Sequence, residues 1–353
     1  MAECIVEVCE IEKVYPHPNA DALELAQIKG WQCVVPIGKY QAGDTVTYIP
    51  IDSMIPLEHA DRWGITKYLS VKSVSNDMEM PVPAGRVRCA RLRGEPSFGV
   101  IVDVEDLAWS VGQDVKAHYG IFKYIPPLKP TAGDAEASHP LFVEYTDIEN
   151  LRNFPDVLEE GEEVVVTEKL HGTNCRIGAI EGEPMAGSMS LRRKRPATSE
   201  AMATSTYWFP FTLPAVQALI AKMGARHRQF ILFGEVVGSK IQDLHYGCKG
   251  MLGFRAFDIL ADGKYLDAEA FFGTCAQFGV ETVPVLYRGG YSLEKMRELS
   301  AGNTLLTDNH IREGVVVKPI LERTHPKIGR VALKYIGDPY LFSKSAERDA
   351  YDV

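Results

Sequence analysis

Three valines, Val164 to Val166, lead through Thr167 and Glu168 to Lys169, and Leu170, His171, Gly172, Thr173 and Asn174 follow at once. An apolar run that closes on a lysine presents an amine at the end of a strand. An amine attacks phosphorus only when unprotonated, and a free lysine has a pKa of about 10.4. Burial and nearby cations lower that value, so a nucleophilic lysine needs other lysines, arginines or a metal beside it. The same positive charge stabilises the phosphates under attack. Candidates stand at the ends of other apolar runs: Glu235 in "LFGEVVG", Phe257 and Asp258 in "FRAFDIL", Glu313 and Lys318 in "REGVVVKP", and Lys334 in "RVALKYIG". Taken singly, a Glu or Lys at a strand end is more often a solvated edge residue.

Other chemistries lack their patterns. The phosphate-loop signature GxxxxGK[ST] is absent, and "GEVVGSK" at 234–240 has the wrong spacing. There is no GxGxxG after a strand, no GxSxG elbow, and His171, His227 and His245 have no HExxH partner. A lysine acting as covalent nucleophile is what remains. The formal charge of −9 argues against a protein that coats nucleic acid indiscriminately. It leaves room for a local basic surface, and "SLRRKRPATSE" supplies Arg192, Arg193, Lys194 and Arg195 just after the nucleophile strand. Such a run can be a solvated loop, but in an acidic chain it suits phosphate contact.

The elements that must hold these residues divide the chain. Its 353 residues predict two domains or one large one. Residues 1–125 read as short strands broken by turns ("CIVEVCEI", "WQCVVPIG", "YQAGDTVTYIPID", "GRVRCARLRG", "FGVIVDV"), the pattern of a small all-β barrel or sandwich. Residues 126–140 lie in a stretch rich in Pro, Ala, Gly and Asp and read as a linker. Residues 141–353 form an α+β domain: "EEVVVTEKL", "QFILFGEVVG", "GFRAFDIL" and "REGVVVKPI" read as strands. "LPAVQALIAKMG", "DAEAFFGTCAQFG" and "SLEKMRELSAG" read as helices, each with a glycine near its end.

Seven cysteines are scattered singly with no CxxC pair, which predicts reduced, mostly buried thiols in a cytoplasmic protein. No run of 18 apolar residues appears, and the N-terminus lacks a basic segment followed by an apolar core, so neither a membrane span nor a signal peptide is expected.

The ordered series EKLHGTN, FGE, FRAFDI, EGVVVKP, LKYIG resembles the nucleotidyltransferase motifs of the covalent lysine-nucleotide superfamily, which comprises ATP-dependent DNA ligases, RNA ligases and mRNA capping enzymes. Most members carry KxDG at the first motif. KxHGTN looks like the nick-sealing RNA ligase 2 type. "YPHPNADALELAQIKGW" resembles the opening of OB-type domains in tRNA-binding modules and in one group of RNA ligases. There the residues Pro16, His17, Pro18 and Asn19 read as a rigid turn rather than a ligand contact. The resemblance implies an OB-like nucleic-acid-binding barrel followed by an ATP-grasp-like ligase domain.

It also implies roles. Lys169 takes AMP from ATP, Glu313 binds or orients the Mg²⁺ or Mn²⁺ directly or through water, and Glu235 holds the ribose or helps the metal-assisted step as a second metal residue. Glu168 and the backbone beside it lie near the adenine, and His171, Gly172 and Asn174 line the nucleotide. Phe257 stacks on the adenine. Lys318 and Lys334 contact the AMP phosphate and lower the pKa of Lys169. Arg192, Arg193 or Arg195 grips a nucleic-acid phosphate. One departure is that the family often pairs two lysines in its last motif, whereas Ala332 and Ile336 flank Lys334 at that spacing, leaving Arg330 or Lys318 to substitute.

The OB-like part comes first, the order of RNA ligases with an N-terminal OB domain; DNA ligases and capping enzymes place it last. The expectation is a monomeric RNA ligase that acts in RNA repair on RNA or RNA-containing nicked duplexes. The alternatives are a nucleic-acid-binding protein with an inactive transferase domain, or a related DNA ligase or capping enzyme.

Overall fold

A computed structural model describes residues 4–70, 72–74, 83–125, 133–238, 241–307 and 310–343. The chain falls into two compact units, the first ending at residue 128 and the second running from 129 to 343.

In the first unit, short strands form small antiparallel sheets. Glu7–Glu10, Thr45–Ile49 and Val100–Asp103 make one; Lys13–Pro16, Leu23–Ile28 and Trp31–Pro36 make another. Val8, Ile49 and Val102 of these strands meet Val6 and Ile121 in one core. The turn expected at 16–19 is present, and His17 is the reason it is rigid. Asn19 donates its backbone N–H to His17 Nδ1 at 3.0 Å, so Nε2 carries the proton and donates to the Leu92 carbonyl at 3.0 Å. Asn19 Nδ2 adds a bond to the Arg93 carbonyl at 3.2 Å. One buried imidazole thus ties the turn to the hairpin Ala90–Ser97.

The second unit is built on two sheets. The larger has seven strands, in which Thr173–Ile180 pairs with Gln229–Val237, and that strand in turn with Gly253–Ala261. The smaller has five, in which the nucleophile strand Glu163–Lys169 lies between Val285–Gly290 and Gly314–Pro319, and Gly314–Pro319 pairs onward with Leu333–Ile336. The three expected helices are present as Pro214–Gly224, Ala268–Phe278 and Leu293–Ser300. Ser292 caps the last by accepting the Lys295 N–H, and Gly279 ends the second in the left-handed region at φ 71°. Gly224 has another use: a Cβ there would come within 2.5 Å of Ala179 Cβ, so it lets helix and sheet approach.

The linker reading needs correction at its C-terminal end. Residues 126–132 of it lie outside the described residues, but Ala135–Glu136 is an edge strand of the seven-stranded sheet, paired with Arg192–Arg193. A two-residue strand carries no periodicity that a sequence could display. Five of the seven cysteines are buried and none forms a disulfide, as expected. Among the described residues no helix is long and apolar enough to cross a membrane.

Candidate active site

Residues 164–174 are the crossover between the two sheets. Val164, Val165 and Val166 are buried in the five-stranded sheet, which the chain leaves at Lys169. It enters the seven-stranded sheet at Thr173, opposite Val236. Gly172 makes the crossing possible: a Cβ there would stand 2.3 Å from the Val236 carbonyl and 2.9 Å from Glu235 Cγ. Its N–H instead donates to Glu235 Oε1 at 3.0 Å. The backbone N–H of His171 donates to the Tyr246 hydroxyl at 2.8 Å.

Lys169 Nζ donates to Glu313 Oε1 at 2.6 Å, and His171 Nδ1 stands 3.8 Å from the other oxygen of that carboxylate. Glu313 directly precedes Gly314, the cross-strand partner of Lys169. Gly314 has no room for a side chain, since a Cβ would lie 2.3 Å from the Tyr335 carbonyl. Burial pushes the Glu235 carboxyl up to about 7; Lys169 opposes that shift and Glu313 adds to it. Burial and the Glu313 charge also raise the Tyr246 phenol. Asn174 sits opposite Glu235 in the register, and its Oδ1 is buried without a hydrogen bond among the described residues. Sequence reasoning missed Tyr246, which lies in "LHYGCKG", a loop without periodicity.

Lys334 pairs with Val316, which itself faces Thr167, so Lys334 lies on the same face of the sheet as Lys169. Lys318 has a different employment from the one expected. It pairs with Val165, four residues down the strand from Lys169, roughly 13 Å at the usual rise. Its ammonium donates to Asp258 Oδ2 at 2.9 Å and to the Phe257 carbonyl at 3.2 Å. Arg330 donates to the same Asp258 oxygen at 2.6 Å, and the Tyr145 hydroxyl donates to it at 2.9 Å. Burial alone would raise the Asp258 carboxyl, but Lys318 and Arg330 outweigh it and hold it below its ordinary value. Lys318 therefore joins the two sheets through this carboxylate, and Arg330, from the short ladder Thr324–His325/Gly329–Arg330, adds to the same anion. Phe257 is the extra residue of a bulge between the pairs Phe233–Asp258 and Gly234–Ala256, and its ring packs 4.8 Å from that of Tyr145.

Glu168 also departs from its expected place. Adjacent strand residues face opposite ways, and the Glu168 carboxylate is buried against the loop after helix Leu293–Ser300. There Oε2 accepts the Leu305 N–H at 2.9 Å and lies 3.8 Å from Arg312 Nε. Burial raises its pKa against Thr304, Leu305 and Arg312.

In the basic run, Arg192 pairs with Glu136 at 3.1 Å and Arg193 with Asp134 at 2.7 Å, both acids belonging to the edge strand or its start. Lys194 and Arg195 are exposed, with no acidic partner among the described residues. The Arg195 guanidinium lies 5.8 Å from the Trp208 ring centre.

No cluster of three or more His, Cys, Asp or Glu side chains suited to a metal occurs among the described residues. The Glu235 and Glu313 carboxylates, with Glu313 Oε2 accepting no hydrogen bond, fit a hard cation that takes one or two protein oxygens and completes its shell from substrate phosphates.

The RNA ligase family profile matches residues 162–336, and an OB-fold domain profile matches residues 5–104. No curated protein matches the chain. Among solved structures, the chain is similar to a lysine-to-alanine variant of the Naegleria gruberi RNA ligase with ATP and Mn. The TM-score is 0.72 at 26% identity, covering 96% of this chain and 98% of that one. An arginine-to-alanine variant of the same ligase with ATP and Mn gives 0.69 at 26%, with the same coverage. A lysine-to-methionine variant with AMP and Mn gives 0.71 at 25%, covering 96% and 98%. Residues 162–336, which carry Lys169, Glu235, Glu313 and Lys334, therefore match the RNA ligase family, and an OB-fold unit precedes them.

Proposed function

We propose that the protein is an ATP-dependent RNA ligase that joins 3′-hydroxyl and 5′-phosphate ends, at nicks in RNA-containing duplexes, through an AMP carried on Lys169. The observation that carries this reading is the contact of Lys169 Nζ with Glu313, 2.6 Å apart at the crossover between the sheets.

Three steps follow. Glu313 orients Lys169 through their hydrogen bond, the ammonium gives its proton to solvent, and the freed amine attacks the α-phosphate of ATP. The N–P bond forms as the bond to the β-phosphate oxygen breaks, and pyrophosphate leaves. A 5′-phosphate oxygen of the RNA then displaces Lys169, which regains its proton. Finally the 3′-hydroxyl attacks that 5′-phosphate, and AMP departs. Glu313 and Glu235 would hold the Mg²⁺ or Mn²⁺, which when bound neutralises phosphate charge. Lys334, on the face of Lys169, adds positive charge where the α-phosphate must sit. His171, Gly172 and Asn174 would line the nucleotide, and the Glu168 backbone would border it while its carboxylate serves elsewhere. Phe257, already against Tyr145, keeps a half-buried face for the adenine. The exposed Lys194 and Arg195 suit the RNA phosphate better than the paired Arg192 and Arg193. Largely buried thiols without disulfides fit a reducing, cytoplasmic setting.

The test is incubation with labelled ATP and Mg²⁺ or Mn²⁺, followed by a denaturing gel. Label should stay on the wild type and vanish in Lys169→Ala; no label with either metal would leave a nucleic-acid-binding protein with an inactive transferase domain. Labelling by GTP in place of ATP would point to a capping enzyme. Nicked duplexes that differ only in RNA or DNA on each side of the nick then identify the substrate. Sealing of DNA nicks alone would reject the RNA reading.

A further inference from the structure

The residue before each member of the Lys169–Glu313 pair is itself charged and buried: Glu168 is 1% exposed and Arg312 7%. Arg312 Nε stands 3.8 Å from Glu168 Oε2, an ion pair without a hydrogen bond. The rest of its guanidinium gathers the end of helix Leu293–Ser300. Nη1 donates to the carbonyls of Leu299 and Ala301, and Nη2 to that of Asn303 at 2.9 Å. Helix ends leave such carbonyls without partners, and a cation is their natural complement. Glu168 takes the next free donor of that loop, the Leu305 N–H. One buried pair therefore ties the end of the nucleophile strand, the start of the Glu313 strand and the end of a helix into a single block.

Burying two charges is costly, and apolar side chains of the same volume would often hold two strands as firmly. What charges add is a fixed distance and register. Here that register is the one that brings Lys169 against Glu313 on the opposite face.

We propose that Glu168 and Arg312 are positioning residues for nucleotidyl transfer, setting from behind the sheet the separation between Lys169 and Glu313. The proposal rests on Lys169 being the nucleophile, as in the function proposed above.

A single-turnover assay with labelled ATP separates the labelling rate at saturation from the ATP concentration giving half that rate. Thermal melts of each variant report folding. Glu168→Gln, which retains an acceptor for Leu305, should label about 10²-fold more slowly at saturation, the scale of a 1 Å misplacement, with half-saturation little changed. Arg312→Lys should recover part of what Arg312→Gln loses. The double variant Glu168→Gln/Arg312→Gln should be no slower than the slower single variant, because the two residues act as a unit. Should Glu168→Gln fail to fold, the comparison of Arg312→Lys with wild type carries the test. Folded variants that label at the wild-type rate overturn the proposal. So does a loss confined to half-saturation, which would make Glu168 a nucleotide contact. A wild type that takes no label overturns the function reading and the proposal with it; a labelled wild type beside unaffected variants overturns the proposal alone.

Discussion

Glu235 joins the chemistry of the site to the stability of the fold. Its carboxyl ordinarily titrates at 4.5 and is held at about 7. Between those values the folded state keeps a proton that the unfolded chain has released, so this residue's contribution to stability is full below pH 4.5 and is lost as pH rises through 7. Glu235→Gln, which keeps an acceptor for Gly172 and cannot ionise, should therefore gain on the wild type across that window and level off above it, as read by urea melts at a series of pH values. The same variant should lose metal-dependent labelling. A constant stability difference across pH would reject the raised carboxyl. Gly172→Ala should fail differently, because its methyl meets the Val236 carbonyl at 2.3 Å. Overpacking of this kind costs about 1–3 kcal/mol, visible in a melt, and it should separate Lys169 from Glu313 enough to abolish label. Gly172 was legible in the sequence as part of the motif that follows the lysine. That it meets Glu235 was not, because their contact spans 63 positions.

Among the elements, the strand ends were easier to read than their partners. The apolar runs ending at Lys169 and Lys334 located one face of one sheet. Lys318 was read from the same kind of pattern, yet its ammonium crosses to Asp258 on the other sheet. Four residues of separation along a paired strand decide this, and one strand's sequence does not reveal which carboxylate lies opposite. Asp258→Ala would leave Lys318 buried without an anion, while Arg330 keeps Glu322. Breaking a buried pair costs about 3–5 kcal/mol, so a large fall in the urea midpoint is expected. A midpoint close to wild type would show that the bridge does not join the sheets. The Glu168 carboxylate lies apart from Lys169 for a simpler reason: with a period of two, neighbours on a strand face opposite ways.

For the whole molecule, an acidic chain that handles RNA must concentrate its cations. Arg192 and Arg193 are engaged by Glu136 and Asp134, whereas Lys194 and Arg195 stand open. Arg195→Ala should weaken RNA binding and lower the slope of log affinity against log salt by about 1, with ATP labelling unchanged. Arg192→Ala should change that slope less; equal effects would mean that the acidic edge strand yields to RNA. The sequence by itself determined the order of the motifs, the OB-like unit ahead of the ligase unit, the three helices and the lysine, since periodicity and local turn chemistry record short-range constraints. Only the tertiary structure decided which charges meet: Lys169 with Glu313, Lys318 with Asp258, Glu168 with Arg312, Arg193 with Asp134. Each pair joins residues far apart in the chain, brought together by strand pairing within a sheet or, for Lys318 and Asp258, by the packing of one sheet on the other, which no local pattern encodes.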